Sequence, residues 1–465
     1  MRHLFVSEGT NTRLILFFCG WAMDAAPFAG LHRAGYDVVV LWDYRSFAID
    51  WSFIAHYKEV CVVAWSFGVY AAAVTTVALE NRITKRIAVN GTLYPVDRRR
   101  GIPESVFNAT LESLSPRGLE KFYRRMAGGN EAFKKFALAI PERDIDELRE
   151  ELEVFAPCEF MRPQLATRWD LAIIGRDDAI IPAANQWRAW TGTPTLMCDA
   201  PHLPDFSKII DRYIIDKERV GERFEVGLAL YEHNAPVQQR LADALADALN
   251  SNGAGEHIAQ RGSRVLEIGS GTGMLSRRLD QLCGHKAFLE MWDLAGKSPL
   301  PESPLRSFRR VDAELEMKHL PAASFDLIAT ASTVQWFNSP TRFMEECSRV
   351  CAPGGFVAVA TYLHGNLSVI SSLTGRTLPL LTERQWLGII PDDFELLASC
   401  SYEDALEFSS AMDAFRHLKN TGVNSLGRDS AGENSITRAV RNFRPDLDGA
   451  FRLVYKPLYF ILKKR

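Results

Sequence analysis

VCVVAWSFGVYAAAVTTVAL, residues 60–79, is the stretch from which the first half of this chain is read. It opens on a short apolar, β-prone run of strand length and closes on a longer small-and-apolar run suited to a buried helix. The stretch from Cys61 to Leu79 approaches the length of a membrane span, but Ser66, Gly68, Thr75 and Thr76 interrupt it. A strand, a tight turn and a helix explain it better than a bilayer does. A serine between a strand and a helix, with small neighbours, forms a nucleophile elbow. Its Oγ stands clear of the sheet, and the next N–H, that of Phe67, lies at a helix N-terminus where it can stabilise an oxyanion. The first small residue of such a turn is usually Gly and here is Ala64. Taken alone, the pentapeptide fits an ordinary buried serine equally well.

Working outward, short apolar runs alternate with helical patterns, which predicts a parallel α/β sheet. The expected strands are Leu14–Phe18, Val38–Leu41, Val60–Ala64, Arg86–Val89, Asp170–Ile174 and Thr195–Cys198, with inserted helices over about 92–166. Gly175-Arg-Asp-Asp178 follows a strand, and Ala200-Pro-His202-Leu follows the last one. Asp178 is the candidate acid, with Asp177 as fallback, and His202 the candidate base. The chain order Ser, Asp, His is that of a triad on an α/β-hydrolase fold. Gly20-Trp21 ends the first strand, so the Trp21 N–H is the candidate second oxyanion donor. The chemistry implied is attack of Ser66 on an ester carbonyl, with proton transfer through His202. FFCGWAMD, AWSFG and DDAIIPAANQ resemble the short esterases that demethylate pimeloyl-acyl-carrier-protein methyl ester in biotin synthesis, and the likeness spans residues 1–215.

The second half turns on Val265-Leu-Glu267-Ile-Gly269-Ser-Gly271-Thr-Gly273, a strand followed by ExGxGxG and a helix. Such glycines let backbone approach a nucleotide-like ligand. Glu267 favours S-adenosylmethionine over a dinucleotide and is placed for its ammonium end. Asp293, ending the next strand, is placed for the ribose, and Asp312-Ala313 after the third for adenine. A Rossmann-like, class I methyltransferase fold follows, with strands at Arg264–Ile268, Phe288–Met291, Phe308–Val311, Leu327–Thr330 and Phe356–Thr361. The charged stretch 216–226 is expected to be a linker, with 227–465 the second domain and residues 239–249 its leading helix.

Tyr231-Glu-His-Asn-Ala235-Pro-Val-Gln238, Thr333-Val-Gln335-Trp336, Thr361-Tyr-Leu-His-Gly365-Asn-Leu and His417-Leu-Lys419-Asn-Thr-Gly-Val-Asn424 resemble the malonyl-acyl-carrier-protein O-methyltransferases, which open the same route. The family commonly has Asn where this chain has Ala331. The resemblance implies methylation of a malonyl carboxylate by one half and hydrolysis of a pimeloyl methyl ester by the other, both on acyl carrier protein. Tyr231 and Gln335 are candidates for lining the acceptor pocket. Lys419, with Arg416, is a candidate for contact with the free carboxylate or the carrier. A pair acting on another carboxylated metabolite, or a carrier-binding scaffold with one inactive domain, are the alternatives. No motif is legible after about residue 430.

The chain has 465 residues, net charge −3 and eight cysteines without a CxxC pair. Two domains are the natural division at that length. The charge gives no reason to expect nucleic acid, the cysteines suggest a reducing cytoplasm rather than a metal site, and no segment suggests a membrane.

Overall fold

Seven strands build the sheet of the first unit: β1 (Arg2–Ser7), β2 (Arg13–Phe18), β3 (Asp37–Trp42), β4 (Glu59–Trp65), β5 (Ile83–Val89), β6 (Leu171–Gly175) and β7 (Thr195–Cys198). Their order is β1-β3-β2-β4-β5-β6-β7. All neighbours pair parallel except β1, which runs antiparallel to β3. Residues 14–19 and 60–64 are wholly buried, as strands covered on both faces must be. Each such aliphatic side chain stabilises the core by about 1.5–3 kcal/mol. β1 is absent from the expected strands because RHLFVS is an edge strand, half exposed and without a continuous apolar run.

The computed structural model describes residues 1–156, 167–259, 262–284, 286–375, 378–421 and 434–465. Contacts divide the chain into units Met1–Ile214 and Ile215–Arg465. Between β5 and β6 lie the helices Glu104–Glu112, Pro116–Ala127, Asn130–Phe136 and Ile145–Val154. Ser115 caps the second of these by accepting the Gly118 N–H, and Gly128, at φ +80°, ends it. The remainder of the expected insertion, 157–166, falls outside the described residues.

In the second unit the strands are β8 (Arg264–Ile268), β9 (Phe288–Asp293), β10 (Arg306–Arg310), β11 (Phe325–Ala331), β12 (Cys351–Tyr362), β13 (Phe394–Ser401), β14 (Asp404–Phe408), β15 (Phe451–Tyr455) and β16 (Pro457–Lys464). The main sheet runs β10-β9-β8-β11-β12-β16-β13, while β14 and β15 form a separate ribbon. β16 is inserted between β12 and β13, antiparallel to both. The tail that reads as motif-free is therefore an internal strand, with Leu458, Phe460, Ile461 and Leu462 fully buried.

The stretch 216–226, expected as a linker, is helical: it starts the helix Lys217–Asn234, capped by Asp216 accepting the Arg219 N–H. Its charges mislead because several are paired in the tertiary structure. The next helix, Pro236–Ser251, contains the expected 239–249 segment and buries Leu241, Leu245 and Leu249. Among the described residues no helix is long and apolar enough to cross a membrane.

Candidate functional site

In the first unit, β4 delivers Ser66 into a turn at φ +57°, a region that non-glycine residues rarely occupy. Packing enforces it. A Cβ on Gly68 would lie 2.3 Å from the Cys19 carbonyl oxygen, and one on Gly91 2.4 Å from that of Ser66. The wholly buried Ala64 fits where a glycine is usual.

His202 Nε2 lies 3.0 Å from Ser66 Oγ, and its Nδ1 lies 2.9 Å from Asp178 Oδ2. All three are buried. Asp178 Oδ1 accepts the N–H groups of Ile180 and Ile181, while Oδ2 also accepts Gln186 Nε2. The carboxylate is thereby held in one orientation toward the ring. Asp177, the fallback, is exposed, and the contact with His202 is made by Asp178. The His202 carbonyl accepts Trp65 Nε1 at 2.7 Å and Asn90 Nδ2 at 3.0 Å, which fixes the loop carrying the imidazole.

Trp21 and Phe67 line the pocket beside Ser66, together with Ile102, Phe107, Phe122 and Leu152. The indole of Trp21 is anchored on the Leu148 carbonyl. Neither residue's backbone N–H donates in the loop and turn hydrogen bonds of the described residues. Arg125 also lines this mouth. Its neighbour Arg124 is engaged with Glu120 and Asn130 and stacks on Phe133.

The second unit holds a larger pocket at the C-terminal ends of β8, β9 and β11. Gly269, Gly271 and Gly273 have φ of +77°, +49° and +88°. A Cβ on Gly269 would meet Thr333 Oγ1 at 1.9 Å, whereas one on Gly271 would point into open space. Asp293 Oδ2 accepts the Gly271 N–H and Oδ1 the Ala295 N–H, so it holds the glycine turn as well as lining the pocket. Burial pushes its pKa up.

Both Glu267 carboxylate oxygens are buried without a hydrogen-bond partner, as are Gln238 Oε1, Ser270 Oγ and Thr272 Oγ1, all on pocket-lining residues. Burial pushes the Glu267 pKa up to about 8; the nearby Ser276 hydroxyl pulls it down, and the charge of Asp293 adds to the rise. Orphaned acceptors of this kind are costly unless a ligand supplies donors.

At the far end Asp312 Oδ1 accepts Lys217 Nζ at 2.8 Å, and Lys217 also pairs with Glu314. Burial alone would lower the Lys217 pKa, but the two carboxylates overcome it and raise it. Ala313 is buried against the pocket.

Of the acceptor candidates, Tyr231 lines the pocket. Gln335 does not; its Nε2 donates to the Ser332 carbonyl and its Oε1 accepts the Thr361 hydroxyl. Lys419 is exposed on the helix Ala411–Asn420 and is absent from the pocket wall, and Arg416 pairs with Asp413. The GVN of the His417 motif falls outside the described residues. Lys217, Gln238 and Ser332 are pocket residues not singled out from the sequence. Gln238 had a signal, since it closes the motif begun by Tyr231.

The sheet order and glycine turn of the second unit are those of a Rossmann-like methyltransferase domain, and residues 266–359 match the family model "Methyltransferase domain". Residues 1–209 match the family model "Pimeloyl-ACP methyl esterase BioG". The chain belongs to the malonyl-acyl-carrier-protein O-methyltransferase family: it is 32% identical to the member from Bacteroides fragilis over 97% of this chain and 93% of that one. The Haemophilus influenzae enzyme of the same name is 31% identical over 54% of this chain and 95% of its own. The crystal structure of BioG from Haemophilus influenzae is 30% identical, covering 43% of this chain and 94% of that one with a TM-score of 0.39.

Proposed function

We propose that the chain is a bifunctional enzyme acting at two steps of one pathway, the making of the pimeloyl moiety of biotin. The second unit, residues 215–465, methylates the free carboxylate of malonyl-acyl-carrier protein. Residues 1–215, read as an α/β-hydrolase with a helical cap, hydrolyse pimeloyl-acyl-carrier-protein methyl ester to the free acid and methanol. A methyl ester hides a charge whose burial in apolar elongation enzymes would be costly, and its removal restores that charge. The seven described cysteines are all free thiols, which fits a cytoplasmic setting.

The observation that carries the esterase reading is the continuous Ser66–His202–Asp178 chain at 3.0 and 2.9 Å. His202 accepts the Ser66 proton as Oγ attacks the ester carbonyl, and Asp178 stabilises the imidazolium. The Trp21 and Phe67 amides receive the oxyanion. His202 then protonates the departing methoxide, and water repeats the sequence on the acyl-enzyme.

For the transferase half, the support is the set of orphaned acceptors around the glycine turn, which fits the amino-acid end of S-adenosylmethionine. Glu267 and Gln238 would hold that end, Asp293 the ribose, and Asp312 and Ala313 the adenine. The cofactor supplies an electrophilic methyl on a sulfonium. The protein's task is alignment and exclusion of water, since a malonyl carboxylate is already ionised near neutral pH.

Replacing Ser66 by Ala tests the reading. The expected result is complete loss of methanol release from pimeloyl-carrier methyl ester, with methyl transfer to malonyl-carrier unchanged. Demethylation at the native rate would remove Ser66 from the mechanism.

A further inference from the structure

Two of the motifs quoted above, around Thr361 and His417, leave residues without a role once the cofactor loop is accounted for. The structure gathers them. Tyr362 ends β12, buried, and its hydroxyl lies 3.1 Å from Ser332 Oγ. Ser332 follows β11 at φ +54°, a backbone conformation that costs a non-glycine residue roughly 1 kcal/mol or more, and it lines the methyltransferase pocket. Tyr231 lines the same pocket from the helix Lys217–Asn234, and its hydroxyl has no hydrogen-bond partner among the described residues. Behind Tyr362 stands Tyr455 of β15, ring centroids 6.0 Å apart, and the Tyr455 hydroxyl meets His417 Nε2 at 2.9 Å.

The cluster is neutral. Burial raises the hydroxyl pKa of Tyr231, Tyr362 and Tyr455, and lowers that of His417 to about 4. Lys217 is the single cation on the pocket wall among the described residues, and Asp312 and Glu314 engage it at the other end. Arg240, within electrostatic range of Tyr362's surroundings, is tied to Asp404 by two hydrogen bonds.

We propose that Tyr231 and Ser332, with Tyr362 acting through Ser332 and braced by Tyr455 and His417, form the acceptor subsite: it holds the free carboxylate of a dicarboxylic acyl thioester by neutral hydroxyl donors rather than by a cation. This rests on the transferase reading above. The chemistry favours such donors. Methyl transfer joins a carboxylate oxygen to a cationic methyl donor and leaves an uncharged ester and an uncharged thioether, with no proton moved. A lysine or arginine on the carboxylate would stabilise the charged ground state more than the transition state, in which that charge is vanishing, and would slow the step. A hydroxyl orients one oxygen while leaving the other nucleophilic, at smaller electrostatic cost. Tyr231 and Ser332 are thus contact residues, and Tyr362, Tyr455 and His417 are positioning residues.

The full chain is assayed with malonyl-carrier protein and S-adenosylmethionine. Tyr362→Phe and, on a different element, Tyr231→Phe should each raise KM for malonyl-carrier about tenfold or more. The Kd for S-adenosylmethionine, by calorimetry, should stay within about twofold of wild type, as the subsite assigns both hydroxyls to the acceptor. Ester hydrolysis by the same preparations should be unchanged, and the retained cofactor affinity reports that the second unit is folded. Unchanged KM in both variants, or a loss of cofactor affinity in step with KM, would overturn the subsite. Failure of the wild-type chain to methylate malonyl-carrier would instead overturn the transferase reading on which it rests.

Discussion

Glu267 shows what burying a single carboxyl costs. Its carboxyl is buried without a partner, and its pKa is raised from 4.5 to about 8. The sign follows from linkage. A raised carboxyl pKa means the folded protein binds the proton more tightly than the unfolded chain, so this group's contribution to stability is full below 4.5 and is lost as pH rises toward about 8. A cation arriving beside Glu267 reverses the preference and expels the proton. Calorimetry near pH 7 in two buffers of different ionisation enthalpy should therefore register release of about one proton per S-adenosylmethionine bound. Glu267→Gln should abolish that release and weaken binding; equal proton release in the variant would place the ammonium elsewhere. Gly271 poses a steric question. A side chain there meets no protein atom within 4 Å, so it would project into the pocket, and the φ of +49° adds strain for a β-branched residue. Gly271→Val should remove measurable cofactor binding while ester hydrolysis persists. Unchanged affinity in a folded variant would exclude this turn as the cofactor cradle.

The helix Lys217–Asn234 is the element that does most to shape the transferase pocket. Lys217, Val220, Phe224, Leu228 and Tyr231 recur on one face and line it. Ion pairs hold the helix along its length: Lys217 to Asp312 and Glu314, Glu225 to Arg310, and Glu232 to Arg277, which also bonds the Thr272 carbonyl in the glycine turn. The exposed pairs contribute little each. The Lys217 triad is different because its members are largely buried. Lys217→Met would leave two carboxylates without their cation, at a cost of roughly 3 kcal/mol. The expected outcome is a lower Tm for the transferase transition and weaker cofactor binding, measured by thermal unfolding with and without S-adenosylmethionine. A Tm equal to wild type would mean the triad contributes nothing net.

On the scale of the whole molecule, each unit carries its own core and its own pocket. Carrier recognition on the esterase side should depend on charge at the pocket mouth. Arg124 is occupied by Glu120, which leaves Arg125 as the cation on the pocket wall among the described residues, placed to attract a negatively charged carrier surface. Arg125→Glu should raise KM for pimeloyl-carrier methyl ester at low salt and leave hydrolysis of a small free ester unchanged. Rising salt should weaken the wild type in the same selective way. An equal response of both substrates would place the docking face elsewhere.

What the sequence determined by itself was whatever rests on local order: strand runs, turns that only small residues allow, and motif spacing along successive strands. AWSFG and the ExGxGxG turn are of that kind, because backbone geometry there depends on neighbours a few residues away. The candidacy of Asp178 rests on its place after Gly175, and it is buried where Asp177 is exposed. Tertiary structure alone decided the rest. β16 reads as a motif-free tail, yet pairing with β12 and β13 makes it an inner strand. The charges of 216–226 suggest a linker, yet partners distant in sequence turn that stretch into a pocket wall. Ser332, Tyr362, Tyr455 and His417 meet only when β11, β12, β15 and the helix Ala411–Asn420 come together. No local pattern encodes such a meeting, because a hydroxyl's role depends on what long-range packing sets beside it.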